Sequence, residues 1–264
     1  MDIIDILYNQ IDVLKRESSS KSILLGRRES FGKDMISDIE RTLYDLLVGI
    51  SIPPFQRERL YSVLSDLQHY ADGELKESSS QLMAKIRRER CSDASGFYLK
   101  YAPKKKHHAK SIDFSREVCF GNVCEGMILY QWCKLFIGGD GVAKLYDKKT
   151  KKCSIGGYFT DSIISLQSLG AFPLYDLYED TEFVGTAQQV LCRFAIPPRF
   201  QAPCLISYAK SGCDTWNILH YHDGTQFDNS YEGYSLWTSG GNRQFFIPLN
   251  ETQRYELAKV AEFV

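Results

Sequence analysis

Gly121-Asn122-Val123-Cys124-Glu125-Gly126-Met127-Ile128-Leu129-Tyr130-Gln131-Trp132 is the stretch whose reading decides the fold of this chain. Glycines flank a single cysteine, and an apolar run follows it. Val123, Met127, Ile128 and Gln131 recur at a spacing that suits the buried face of a helix. This predicts a helix that starts at Cys124, packs into a core and shows only its tip at a cleft. A thiol at a helix N-terminus sits at the positive end of the helix dipole, which favours the thiolate. The competing reading of Cys124 is a small residue packed in a core, as free cysteines often are.

Thiol acyl chemistry needs a histidine to hold and return a proton, and a third group to orient it. Downstream, a strand-like segment carries His220 and His222, Asp223-Gly224 mark a turn, and Asp228 follows. A three-residue turn over Asp223-Gly224-Thr225 would pair His222 with Gln226 and His220 with Asp228. Directly opposed residues bring their Cβ atoms to about 5 Å, close enough for Asp228 to fix the tautomer of His220. A two-residue turn would put the two on opposite faces. His222 is the alternative base. The Cys124 backbone N–H and the Asn122 side chain are the oxyanion donors closest to the thiol. The plain alternative is a hairpin with polar surface residues and a turn asparagine.

The chain has 264 residues, is 44% hydrophobic and carries a formal net charge of -1. That composition supports a sizeable core and argues against general nucleic-acid binding, which needs a basic excess. No apolar run approaches the roughly 18 residues of a membrane span. The start, Met1-Asp2-Ile3-Ile4-Asp5, lacks the basic region of a secretory signal. Eight irregularly spaced cysteines read as reduced thiols in a cytoplasmic compartment rather than a disulfide framework. No cysteine or histidine pair has ligand spacing backed by a second pair, so neither a metal nor a cofactor is expected. Lys104, Lys105 and Lys106, followed by His107, His108 and Lys110, suit weak contact with an anionic surface, or simply a solvated loop.

Residues 1-92 read as a helical region. Helical spacing places one helix on Ile3–Leu14, a second on Met35–Leu47, a third from Pro54 to about Tyr70, and a short fourth around Leu82–Ile86. Residues 93-264 change character. Phe97–Tyr101 alternates like a strand, and residues 158–170 suit a short helix. Strands are expected at Cys204–Ala209, Trp216–His222, Thr225–Phe227, Tyr234–Trp237 and Arg243–Leu249. A last helix, Glu251–Phe263, follows Asn250 as its N-cap. The fold class is α+β: a helical region, then a domain with a central helix packed on an antiparallel sheet.

Two of these segments resemble motifs of the papain-like cysteine proteases of the YopT type, bacterial effectors delivered into host cells. Asn122-Val123-Cys124-Glu125-Gly126-Met127, with Trp132 following, resembles the nucleophile motif. Phe227-Asp228-Asn229-Ser230-Tyr231-Glu232-Gly233-Tyr234 resembles the aspartate motif. The strand Leu205-Ile206-Ser207-Tyr208 sits where the family has one ahead of its histidine. The resemblance implies a papain-like domain over about the last 150 residues. It further implies a protein substrate, a host protein among the candidates, and delivery by a secretion system into host cytoplasm. Cys124, His220 and Asp228 would take the triad roles. Two positions depart from the pattern: Trp216 stands where the strand length would place the histidine, and Asn229 stands where the family has proline. A chain that keeps the shell and loses the histidine would be an inactive binding module. With an intact triad, hydrolysis, deamidation and transamidation differ only in acyl donor and acceptor.

Overall fold

The computed structural model describes residues 3–19, 25–49, 51–69, 71, 73–137, 141–149, 151–170, 172–173, 189–211, 213–214 and 237–264. The chain divides into two compact units, Met1–Asp93 and Ala94–Val264. The protein is α+β, with helices forming the first unit and antiparallel sheets dominating the second.

The first unit contains α1 (Ile3–Ser19), α2 (Leu25–Val48), α3 (Pro54–Leu67) and most of α4 (Gly73–Tyr101). Its core joins Ile4, Leu7 and Ile11 with Ile39 and Leu43, Leu60, Leu64 and Leu67, and Leu82 and Ile86. Pro54 opens α3, where its missing N–H would have had no helical partner. In the first turn of α3, Arg57 is buried. It donates to the Ile52 carbonyl at 2.7 Å and pairs with Asp93 at 2.5 Å and Glu89 at 3.1 Å. Buried Arg90 pairs with Glu58 at 2.7 Å and stacks over Tyr61, 4.9 Å from the ring centre.

The sequence suggested a short fourth helix followed by a strand at Phe97–Tyr101. The structure instead shows one helix of 29 residues. Leu75, Ser79, Leu82, Ile86, Arg90, Ala94 and Phe97 form one continuous buried stripe, each three or four residues from the last. Ser79 and Arg90 occupy inward positions and hide that stripe from an apolar count.

The second unit holds β1 (Cys119–Cys124), β2 (Ile128–Lys134), β3 (Phe136–Ile137), β4 (Ala143–Lys144), β5 (Tyr158–Phe159), β6 (Gln189–Ala195) and β7 (Gln201–Tyr208). It continues with β8 (Cys213–Asp214), β9 (Trp237–Thr238), β10 (Arg243–Phe246), α5 (Glu251–Val260) and β11 (Ala261–Phe263). One sheet runs β1-β7-β10-β5, a second β11-β6-β2, and both are antiparallel. Tyr130 and Thr160 exchange two backbone hydrogen bonds of 2.8 Å, which join β2 to β5 and so link the sheets. A core of Val123, Leu129, Phe159, Phe194, Phe245 and Leu257 lies on one side of the larger sheet. Tyr98, Tyr158, Phe172, Leu205 and Phe246 form a second core.

The expected central helix after Cys124 is not present. Cys124 ends a strand, Glu125-Gly126 form a turn closed by the Met127 N–H to the Cys124 carbonyl at 3.3 Å, and β2 follows. Gly126 takes φ +84, which a side chain would resist. In β2 the buried residues are Leu129, Gln131 and Cys133, a period of two. Residues 158–170 form β5 and a 3-10 turn at Leu166–Ser168 rather than a helix. The last helix begins as expected, with Asn250 and Gln253 closing a capping box. It stops at Val260, and β11 takes the rest by pairing with β6. The basic loop is a 3-10 helix, Pro103–Ser111, that buries His108. Among the described residues, no helix is long and apolar enough to cross a membrane.

Candidate functional site

Cys124 is an exposed residue at the end of β1, paired with Gln201 of β7. It has no helix behind it, so the dipole argument for a reactive thiolate falls away. Asn122 is exposed on the same strand, opposite Pro203. His220, His222, Asp228 and Trp216 lie outside the described residues. The strands that bracket them are described. β8 follows, and β9 precedes, the end of the β7–β10 pair at which Arg243 faces Tyr208. Cys124 faces the opposite end of β7, at Gln201. Seven residue steps separate the two ends, roughly 23 Å at strand rise.

A cavity of about 230 Å³ opens in the second unit. Its walls come from β2 (Tyr130, Gln131, Trp132, Lys134), the segment Cys153–Thr160, and the start of β10 with Asn242. Lys105, Lys134, Arg243 and Arg254 line it, and among the described residues no aspartate or glutamate does. Arg243 does hold Asp161 at 2.9 Å, an ion pair whose side chains are both exposed to solvent.

Several lining groups are committed to the protein. Gln131 donates to the Tyr158 carbonyl at 2.5 Å and accepts the Gly156 N–H at 3.1 Å. Trp132 is held by its indole N–H to the Ile164 carbonyl at 3.0 Å. Asn242 donates its amide nitrogen to the Ser168 carbonyl at 2.9 Å. Gln244 is different. Its nitrogen reaches Ser207 Oγ at 3.4 Å, while its Oε1 is buried without a partner, on a side chain only 4% exposed. Arg243 Nε is buried and unpartnered as well. An unpaired buried polar atom costs about 1–3 kcal/mol.

Behind one wall, Tyr158 links the cavity to a buried aromatic group. Its hydroxyl lies 2.5 Å from His108 Nδ1 and 3.1 Å from the Tyr98 hydroxyl. The His108 ring stacks on Phe172 at 3.9 Å and on Tyr158 at 5.7 Å. Tyr158→Phe removes the hydroxyl that both neighbours use, and is expected to cost about 1–3 kcal/mol in denaturant melts of the full chain. A loss below a few tenths would mean that water replaces it.

Burial raises the pKa of several of the described thiols. Burial raises the pKa of Cys153, the thiol in the cavity lining, against the opposing pull of the Ile155 N–H and Arg254. Burial, helped by Glu117, pushes Cys119 up to about 11. A hydrogen bond to Cys192, then burial, holds Cys133 protonated. Among the described residues, no group of three or more histidine, cysteine or acidic side chains is placed to hold a metal.

Sequence reasoning passed over Asn242, Arg243 and Gln244. A faint signal was there: Gln244 shares a strand face with Phe246, so it points inward.

No protein-family model matches the chain, and no curated protein matches it. Among solved structures, it is similar to a chain of the structure of Tse6 in complex with Tsi6, at 13% identity and a TM-score of 0.32. That similarity covers 68% of this chain and 96% of the other. A TM-score of this size does not establish a shared fold.

Proposed function

We propose that the Ala94–Val264 unit binds a small anionic molecule in the cavity beside β2 and β10. The observation that carries this is a cavity of the second unit lined by Lys105, Lys134, Arg243 and Arg254, with the buried, unpartnered Gln244 amide oxygen packed in its wall. A volume of about 230 Å³ suits one ring system with a charged substituent, and is below the usual range for larger ligands.

The test is a thermal-shift screen of the full chain with small anionic aromatics, with hits located by NMR or crystallography. Gln244→Leu is the control. It removes the orphaned acceptor, so the unliganded chain is expected to gain about 1 kcal/mol while hits lose their shift. No hit in the cavity, or a variant less stable than the parent, would sink the proposal.

A second reading keeps thiol chemistry, favoured by the exposure of Cys124. Here the chain is itself delivered to the host cytoplasm; the Cys124 thiol passes its proton to His220 as its sulfur adds to an acyl carbon of a protein substrate, and the amine leaves with that proton. Asp228 orients the imidazole and Asn122 steadies the oxyanion. Water, arriving with its proton passing to His220, then releases the acid. Iodoacetamide labelling across pH decides the matter. Fast labelling at or below pH 7 that maps to Cys124, with Cys119 silent until strongly alkaline pH, is the expected result. Labelling of Cys124 only above about pH 8, the range of an ordinary thiol, would leave a binding module without a nucleophile.

A further inference from the structure

One face of the second unit is apolar and cationic together. Ile137 of β3 pairs with Ala143 of β4, so the two side chains stand on the same side of that ribbon. Ile137 is 69% exposed, Val142 55% and Phe263 of β11 63%. A shallow groove runs along Ala143, Lys144, Tyr255, Lys259 and Phe263, which joins the β3–β4 ribbon to α5 and β11 in one surface. Apolar groups gathered on a surface and rimmed by polar ones mark an interaction site. Here the rim is basic. Lys144, Lys148, Lys149, Lys151 and Lys152 crowd a short stretch in which Asp147 is the one acid, and Asp147 is buried. Lys148, Lys149 and Lys259 are exposed. Lys148 and Lys259 both approach the Tyr255 ring, at 5.8 and 4.7 Å from its centre. Two ammonium groups on one ring repel each other, and an anion shared between them relieves the repulsion. The acids of α5 and β11 are fewer: Glu251 pairs with Lys151 and Glu262 with Arg193, each at 2.5 Å, and Glu256 is the third.

We infer that this face lies on an anionic lipid bilayer. The lysine ammonium groups meet headgroup phosphates and carboxylates, while their stems lie along the apolar patch. Ile137, Val142 and Phe263 then leave water for the acyl boundary, as in proteins that rest in the interface without spanning it. A nucleic acid would meet the same lysines but offers aliphatic side chains no partner. The chain as a whole also carries a net charge of -1 rather than the basic excess of a nucleic-acid binder.

The experiment is co-sedimentation of the full chain with two kinds of vesicle, phosphatidylcholine alone and phosphatidylcholine with about one-third phosphatidylserine. The expected result is at least about tenfold tighter binding to the anionic vesicles, a difference near 1.4 kcal/mol, that shrinks as salt is added. Lys148→Gln combined with Lys149→Gln and Lys259→Gln is expected to remove that preference. Ile137→Ser combined with Val142→Ser is expected to weaken binding at low and high salt alike, because apolar insertion is not screened. Lys104→Gln combined with Lys106→Gln, in the chain's other basic stretch, is expected to change nothing. Circular dichroism checks that each variant is folded, and the salt dependence of the parent stands without any variant. Equal binding to the two vesicles, no binding to either, a preference that survives loss of Lys148, Lys149 and Lys259, or one lost instead with Lys104 and Lys106 overturns the inference. So does tighter binding to a duplex oligonucleotide than to the anionic vesicles, which would make the face a nucleic-acid surface.

Discussion

Arg57→Ala is expected to destabilise the Met1–Asp93 unit by about 3–5 kcal/mol, the range for breaking one side of a buried ion pair. Arg57 is 4% exposed, and its guanidinium answers four groups at once: the Ile52 carbonyl, Glu89, Asp93 and, more distantly, Ser51. Truncation removes every one of these bonds. Glu89 keeps one partner, the Ile52 N–H at 3.2 Å. Asp93 is left with a carboxylate in a half-covered position and no cation. A domain has only about 5–15 kcal/mol to lose, so the effect is large. Urea denaturation of the full chain, followed by helical circular dichroism, checks it. A double-mutant cycle with Asp93→Asn separates the pair from the packing of the arginine stem. A loss under about 1 kcal/mol would mean that solvent already screens the network, as at exposed pairs.

Gln131→Leu should cost the second unit about 0.5–4.5 kcal/mol, even though it makes a buried strand more apolar. Gln131 holds two backbone groups of the neighbouring segment, the Gly156 N–H and the Tyr158 carbonyl. Leucine satisfies neither, and each orphaned group costs about 1–3 kcal/mol. Burial of the new side chain returns about 1.5 kcal/mol at the low end of the leucine range, which does not offset two lost partners. At about 2–4 °C per kcal/mol for a unit of this size, the melting point read from tryptophan fluorescence should fall by roughly 1–18 °C. An unchanged melting point would show that water enters and takes over both bonds.

Gln131 also explains why this region is hard to read from sequence. In Met127–Trp132, an inward face at a period of two and one near a period of four both include Gln131 and apolar neighbours. A short apolar run satisfies either. The decision is made by partners far away in sequence: β6 pairs with residues 128–134 along the full length of β2. No local signal announces that pairing. Where local physics dominates, the sequence suffices. α1 follows Ile4, Leu7 and Ile11, and the Asn250–Gln253 box starts α5. α4 lies between these cases, because its stripe is complete only once Ser79 and Arg90 are counted as inward residues.

The candidate site was less legible for a related reason. Cys124 drew attention through its glycines, yet Gly126 serves a turn with φ +84. The cavity gathers residues from 105 to 254 whose chemistry is ordinary one at a time. Only their convergence, and an amide oxygen left without a donor, distinguishes them.

The seam between Tyr130 and Thr160 rests on two main-chain hydrogen bonds, with the Thr160 hydroxyl only a long 3.5 Å from the Tyr130 carbonyl, although both side chains border the cavity. Exchanging either side chain therefore leaves the two strands stitched together; only a proline, which has no amide hydrogen, would cut a thread. Selection can thus recolour the chamber at these two positions to suit a new occupant while the architecture of its walls stays the same.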